Sequence, residues 1–245
     1  MKELVELYSK TVIDAIRRVL EEEWDKIERG GREIARAAME NRVVHVIGAG
    51  HSAIVAEEMF YRAGGLANVN PIIDTDITVA HGAKKSTMME HVEGYAKVLL
   101  KSAGVEPGDV VIVVSTSGVN TFPVEAAIVA KELGAFTIGI TSISYSASLE
   151  PRNRYGKRLF EVVDLAIDNK VPRGDAVVEV GKGIKVAPLS TITNAFIVHS
   201  MVIVATKVML EQGVMPAVWI SSHLPEAAKH NEELFKRFGP RIKLL

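Results

Sequence analysis

Residues 109–118 read DVVIVVSTSG, an uninterrupted apolar run that ends in three hydroxyl side chains and a glycine. A short run of β-branched residues bounded in this way is typical of a strand buried on both faces. Residues 123–133 then carry a helical pattern, with a proline near the first turn, where helices favour it. The stretch therefore predicts a buried strand, a polar turn and a helix.

The same order of elements recurs on both sides of this stretch. Residues 43–47 (VVHVI) precede Gly48 and a helical pattern over residues 52–62, and residues 136–141 form a third predicted strand after Gly134. Further strands are predicted at residues 69–73 and 164–168. Strands that alternate with helices imply right-handed crossovers and a parallel sheet covered on both faces. The sequence therefore predicts the α/β class.

The flanking segments are helical in pattern. Residues 2–29 predict an amphipathic helix, Gly30-Gly31 is expected to break it, and residues 33–41 predict a second, shorter helix. Helices are also predicted over residues 87–103, 190–212 and 225–238, and residues 169–188 predict a loop or small hairpin. We expect one domain, with a helical extension at residues 1–41, a core at residues 42–215 and a helical tail at residues 216–245.

Composition excludes several classes of protein. Lys and Arg number 29 against 30 Asp and Glu, a net charge of −1 that argues against nucleic-acid binding. Cysteine is absent, which excludes disulfides, thiolate catalysis and iron–sulfur clusters. The longest apolar run, residues 195–210, is interrupted by His199 and Lys207 and predicts a buried helix rather than a membrane span. With no signal-like segment at the start, the protein is expected to be cytoplasmic, without membrane or nucleic-acid partners.

The turn after the first predicted strand, residues 48–53 (GAGHSA), matches the Gly-x-Gly-x-x-Ala form of the dinucleotide fingerprint. Asp74 follows 26 residues after Gly48, near the end of the next predicted strand, as a ribose-binding acid would. A dinucleotide site does not explain Ser52 at the helix entry, nor a second hydroxyl-rich turn on another strand. Nicotinamide-dependent oxidoreduction is therefore the less favoured hypothesis.

The second turn places hydroxyl side chains at the start of a predicted helix. Free backbone N–H groups and the positive end of the helix dipole favour a phosphate there, and Ser and Thr add neutral donors. The alternative is that these side chains only cap the helix. We favour ligand binding because four hydroxyls occur within seven residues at the sheet edge where open α/β folds bind ligands, namely Ser115, Thr116, Ser117 and Thr121.

Together the two turns resemble the SIS (sugar isomerase) phosphosugar-binding domain, over roughly residues 35–215. Gly48, Gly50 and Ser52 match its first turn, and residues 108–118 match a later strand and its Ser-Thr-Ser-Gly turn. The resemblance implies a three-layer α/β/α sandwich with a five-stranded parallel sheet. It also implies a phosphorylated sugar as ligand, no cofactor, and a homodimer or homotetramer.

By the same resemblance, the second turn would hold the phosphate and the first would lie near the sugar. Asn120 stands where the family often has Ser or Thr, so Thr121 is the alternative hydroxyl. The predicted binding residues are Gly50, His51, Ser52, Ser115, Thr116, Ser117, Asn120 and Thr121.

Aldose–ketose isomerisation of a sugar phosphate is the leading hypothesis. It needs a base that takes a proton beside the carbonyl and an acid that assists the oxygen, without a metal or cofactor. The predicted catalytic residues are Glu93, His81 and Glu58. Other candidates are Glu57, Glu90, His199 and His223. No metal is predicted, since the histidines show no His-x-x-x-His spacing.

Two alternatives remain. Val92-Glu93-Gly94 resembles a motif of N-acetylmuramic acid 6-phosphate etherases, which would make the protein a lyase. Arg62, however, occupies the place of that family's other acid. The second alternative is a non-catalytic phosphosugar sensor, although the chain lacks a helix-turn-helix signature or a basic surplus.

Overall fold

The computed structural model describes all residues, 1–245, and contains eight α-helices, seven strands and three short 3₁₀ turns. The helices are α1 Lys2–Met39, α2 Ile54–Met59, α3 Ala83–Met89, α4 Tyr95–Ser102, α5 Thr121–Glu132, α6 Ile143–Ala147, α7 Ser190–Glu211 and α8 Ala227–Phe238. The strands are β1 Val44–Gly48, β2 Val69–Ile72, β3 Val110–Val114, β4 Phe136–Thr141, β5 Leu165–Asp168, β6 Ala176–Gly181 and β7 Ile184–Pro188. The 3₁₀ turns are Gly50–Ala53, Val79–His81 and Leu159–Glu161.

Five strands form one parallel sheet in the order β2-β1-β3-β4-β5. Helices α1, α2 and α7 cover one face, where they pack on side chains such as Val46 and Ile112. Helices α4 and α5 cover the other face and pack on Val111 and Val113. The predicted α/β class and three-layer sandwich are thus confirmed. The strand order reverses between β1 and β3, and an open sheet of this kind has a crevice at that point.

The N-terminal segment forms one helix, so the predicted break at Gly30-Gly31 is wrong. Helix α1 packs along α7, and both glycines lie at the contact. A Cβ atom at Gly31 would lie 2.5 Å from Val204 Cβ, and one at Gly30 would lie 2.5 Å from Met201 Sδ. The glycines therefore permit close contact between two helices, which offsets their low helix propensity.

Residues 87–103 were predicted to form one helix but divide into the end of α3, a turn and α4. Gly94 adopts the left-handed conformation with φ of +81°, and its N–H donates to Glu125 Oε1 at 2.8 Å. The main-chain carbonyl of Glu90 accepts the N–H of Phe122 at 3.0 Å. These contacts attach the turn to the first turn of α5 and bring residue 90 beside the loop after β3.

A buried ionic network at the amino end of β3 holds the C-terminal tail. Asp109 is fully buried and accepts from the main-chain N–H of Val43 at 2.9 Å and Arg241 Nη2 at 2.9 Å, with His45 Nε2 at 3.1 Å. Burial opposes ionisation of Asp109, but hydrogen bonds from His45 and from backbone N–H groups outweigh it and hold its pKa below the usual range. The C-terminal tail is therefore held at the amino end of β3.

Helix α7 is long and apolar enough to span a membrane by length and composition. Half of its apolar window is buried in the fold, where Ile197, Met201 and Ala205 belong to the main core. Just before α7, residues 169–188 include the antiparallel hairpin β6–β7, which is one of the two forms predicted for this segment.

Candidate functional site

A cleft of about 460 Å³ opens at the carboxyl edge of the sheet, between the loops that follow β1 and β3. It brings together six of the predicted binding residues, which are Gly50, His51, Ser52, Ser115, Thr116 and Ser117. The walls also contain side chains from α3, α6 and α7 and from the loop before β6, among them Ser86, Glu90, Tyr145, Asp175, Ser190, Thr191 and Asn194.

The loop after β1 forms one wall and is held by main-chain contacts. The N–H of Gly50 donates to the carbonyl of Ile77 at 2.9 Å, and the same carbonyl accepts the Ser86 hydroxyl at 2.8 Å. The Ser52 hydroxyl and the exposed His51 ring make no hydrogen bond within the protein. Both groups are therefore available to a ligand.

The loop after β3 presents unpaired donors to the cleft. Ser115 Oγ accepts the N–H of Gly118 at 3.2 Å, which closes the turn. The N–H groups of Thr116 and Ser117 and the hydroxyl of Ser117 have no acceptor within the protein. Three unpaired donors on one turn can together hold an oxyanion.

Gly118 is the residue that allows this turn. Its φ is +61°, and a Cβ atom there would lie 2.8 Å from Thr141 Oγ1 and 3.2 Å from both Leu159 Cβ and Ser146 Oγ. Any other residue would be strained and would also collide with the neighbouring strand and loop. Glycine at this position therefore permits the backbone path of the turn that carries the two unpaired N–H groups.

Asn169, which sequence reasoning did not identify, holds the turn after β3 in place. It is fully buried, and its Nδ2 donates to Asn194 Oδ1 at 2.9 Å and to Thr116 Oγ1 at 3.4 Å. The next residue, Lys170, forms ion pairs with Glu23 at 2.6 Å and Asp168 at 3.2 Å. Burial opposes the charge on Lys170, but the surrounding carboxylates outweigh it and raise its pKa. The segment after β5 is thereby attached both to α1 and to the cleft.

Glu90 places a carboxylate in the cleft. Its Oε2 accepts Asn120 Nδ2 at 2.5 Å, and its Oε1 lies 3.7 Å from where a Cβ of Gly50 would be. Glu90 therefore lies beside the loop after β1 and is oriented by Asn120, the residue that precedes α5. Asn120 itself does not line the cleft. Thr121 is also outside it, buried with its hydroxyl donating to the carbonyl of Arg152 at 3.3 Å.

Asp175 provides the second carboxylate of the cleft. Its Oδ1 accepts the N–H groups of Leu189 and Ser190 at 2.9 and 2.8 Å, and its Oδ2 accepts the Ser190 hydroxyl at 2.6 Å. Asp175 thus caps the start of α7 from 15 residues away. Sequence reasoning missed it because a cap supplied from across a hairpin has no local spacing signal.

The three predicted catalytic residues do not line the cleft. Glu93 is exposed, and its Oε2 accepts Arg154 Nη1 at 3.1 Å. His81 is exposed and its Nδ1 lies 3.1 Å from Asp76 Oδ1. Hydrogen bonds from Lys85 and His81 hold the pKa of Asp76 below its usual range.

Glu58 belongs to a separate acid–base pair on the outer part of α2. Its Oε1 lies 2.8 Å from His199 Nε2 on α7, and its Oε2 accepts Arg62 Nη1 at 3.0 Å. Val55, one turn earlier on α2, lines the cleft, whereas Glu58 and His199 do not. Of the other candidates named from sequence, only Glu90 lies in the cleft, since Glu57 and His223 also lie outside it.

Comparison with known proteins identifies the family. The profile of the SIS domain matches residues 7–142. A UPF0309 protein of Listeria monocytogenes serotype 4b is 38% identical over 99% of this chain and 98% of its own length. One from Halalkalibacterium halodurans is 36% identical over 99% of this chain and 97% of its own.

Solved structures share the fold at low identity. A phosphoheptose isomerase from Neisseria gonorrhoeae superposes with a TM-score of 0.56 at 17% identity, over 84% of this chain and 98% of that one. A phosphoheptose isomerase from Francisella tularensis gives a TM-score of 0.54 at 17% identity, again over 84% and 98% of the two chains. Because the SIS profile covers more than half of the 245 residues, and the UPF0309 relatives align over nearly all of them, this chain belongs to the SIS-domain family and to its UPF0309 group.

Proposed function

We propose that this protein binds a sugar phosphate in the cleft and interconverts its aldose and ketose forms. The observation that carries the proposal is the turn after β3, where two unpaired N–H groups and the Ser117 hydroxyl face the same cleft as the Glu90 carboxylate. The donors suit a phosphate, and the carboxylate suits a base. The SIS family and the shared fold of a phosphoheptose isomerase support the same substrate class.

In this reaction Glu90 would take the proton from the carbon next to the carbonyl of the open-chain sugar. Electrons from the broken C–H bond form an enediolate, and Glu90, whose proton can exchange with water, then returns a proton to the neighbouring carbon to give the other isomer. His51, which has no protein partner, would move a proton between the two substrate oxygens. Asn120 would keep Glu90 oriented through the 2.5 Å hydrogen bond. The reaction balances without an oxidant or a second substrate.

Calorimetric titration with sugar phosphates and their unphosphorylated sugars tests the binding part. We expect binding only with the phosphate, and Ser117→Ala should weaken it by about 1–2 kcal/mol, since one donor to a charged group is lost. Ser148→Ala is the matched control, because Ser148 is exposed and outside the cleft. Unchanged affinity of Ser117→Ala would mean that the Ser117 hydroxyl does not contact the phosphate.

Proton NMR in deuterated water tests the chemistry, because isomerisation through an enediolate exchanges the hydrogen beside the carbonyl. Glu90→Gln should lower turnover by about 10²-fold or more without weakening affinity. Glu93→Gln, altered outside the cleft, should keep normal turnover. Loss of turnover in Glu58→Gln, with Glu90→Gln active, would move the base to the Glu58–His199 pair and contradict this assignment.

The alternatives are outcomes of the same experiments. Ether cleavage depends on Glu93, whose carboxylate pairs with Arg154 outside the cleft, so nothing in the geometry favours it. Tight binding of a sugar phosphate without exchange or isomerisation would identify a sensor. The predicted homodimer or homotetramer can be measured independently by light scattering.

A further inference from the structure

The cleft contains carboxylates but no lysine or arginine. Glu90 and Asp175 are its two acids, and the imidazole of His51 is its only basic side chain. The donors of the turn after β3 are neutral. An anion bound there is therefore held by hydrogen bonds alone and adds its charge to two existing carboxylates.

Neither carboxylate is neutralised by an ion pair. Glu90 is held by the neutral amide of Asn120, and Asp175 accepts only N–H and hydroxyl groups. Arg154 pairs with Glu93, and Lys170 pairs with carboxylates behind the cleft. Lys84 and Arg173 adjoin residues of the cleft wall, but both are exposed and neither lines the cleft. The field of both acids therefore acts on whatever lies between them.

Arg152 lies beside the end of the loop after β3. The N–H of Arg152 donates to the carbonyl of Val119 at 2.8 Å, and its backbone pairs with that of Asn120. Its side chain is exposed and does not line the cleft. Because water screens exposed charges strongly, this guanidinium offsets little of the negative potential inside.

We infer that the cleft selects sugar phosphates whose phosphate is their only anionic group. This inference rests on the proposed function and narrows its substrate class. A second phosphate or a carboxylate on the sugar would lie against Glu90 or Asp175, whereas hydroxyl groups can donate to them and an ammonium group is attracted. Two like charges about 6 Å apart at an effective dielectric constant of about 40 lower affinity about tenfold.

Calorimetric titration with matched ligand pairs tests this inference. Glucose 6-phosphate is compared with 6-phosphogluconate, and fructose 6-phosphate with fructose 1,6-bisphosphate. We expect the doubly anionic member of each pair to bind about tenfold more weakly or worse, with the difference shrinking at high salt. Glucosamine 6-phosphate should bind more tightly than its N-acetyl form, because only the former carries an ammonium group.

A charge-neutral variant identifies the source of the selectivity. Glu90→Gln should narrow the difference between glucose 6-phosphate and 6-phosphogluconate several-fold, while Glu93→Gln, outside the cleft, should leave it unchanged. Equal or tighter binding of the doubly anionic ligands by the unmodified protein would overturn the inference and leave the phosphate site intact. Failure of every monophosphate to bind would instead overturn the proposed function itself.

Discussion

Replacing Gly118 by alanine tests the view that the turn after β3 exists only because this residue is glycine. The alanine must adopt a φ of +61°, which costs an L-residue about 1–2 kcal/mol. Its Cβ atom would also lie 2.8 Å from Thr141 Oγ1, a contact that forces a strand residue to move. Overpacking of this kind costs about 1–3 kcal/mol. We therefore expect Gly118→Ala to lower the free energy of unfolding by about 2–5 kcal/mol in total.

Gly156→Ala separates the two contributions. Gly156 has a φ of +60°, almost the same as Gly118, but nothing lies within 4 Å of the position of its Cβ. This control should therefore lose only the conformational part, about 1–2 kcal/mol. Urea denaturation of both variants, monitored by fluorescence of the two tryptophans, gives the difference as the steric contribution.

Gly118→Ala should also bind sugar phosphate more weakly. Thr141 Oγ1 donates to the carbonyl of Thr116 at 3.2 Å, so displacement of Thr141 moves the free N–H groups of the turn. Gly156→Ala should bind sugar phosphate normally. Equal stability losses in the two variants would refute the steric argument. Normal ligand affinity in Gly118→Ala would refute the claim that the turn geometry places the donors.

Three further predictions address the supports of the fold and the cleft. Gly31→Ala should lower the unfolding free energy by about 1–3 kcal/mol in urea denaturation, despite the better helix propensity of alanine, because its Cβ meets Val204 Cβ at 2.5 Å; a gain would contradict close helix packing. Asp109→Asn should cost about 2–4 kcal/mol at pH 7, since hydrogen bonds to a buried charge are lost. Folding lowers the pKa of Asp109, so its charge stabilises the fold fully well above its ordinary pKa of about 3.9, and this stabilisation is lost as the pH falls below that value. The free energy of unfolding of the variant should therefore depend less on pH than that of the unmodified protein between about pH 5 and 2. An unchanged pH dependence, measured by urea denaturation, would show that Asp109 does not contribute to acid unfolding. Asn169→Ala should weaken sugar-phosphate binding about tenfold in calorimetry through the loss of its contact with Thr116, and unchanged affinity would make Asn169 purely structural.

The layered fold was predictable because its signals are local. Buried parallel strands require continuous apolar runs, and residues 110–114 consist of valine and isoleucine alone. The polar turns were predictable for a related reason. Parallel strands end at one edge of the sheet, so Ser52 and Ser117 had to lie near each other once both strands were recognised.

The predictions that failed or remained untested depended on contacts between distant segments. A Gly-Gly pair usually indicates a break in a helix. At residues 30–31 the absence of side chains instead lets α7 pack closely against α1, which stabilises the continuous helix. Glu93 and Glu90 lie three residues apart and are both plausible bases by sequence. Attachment of the turn after α3 to α5 orients Glu90 into the cleft and leaves Glu93 outside, paired with Arg154.

By itself, the sequence of this protein determined the α/β class and the two hydroxyl-bearing turns at one edge of the sheet, because each follows from residue types adjacent in the chain. Tertiary structure alone decided which carboxylates share the cleft with the free N–H groups. A hydrogen bond from Asn120 orients Glu90 in the cleft, and the hydrogen bonds that cap α7 hold Asp175 there. The physical reason is that charge acts through space, so the electrostatic character of a cleft depends on packing between segments that no local pattern records.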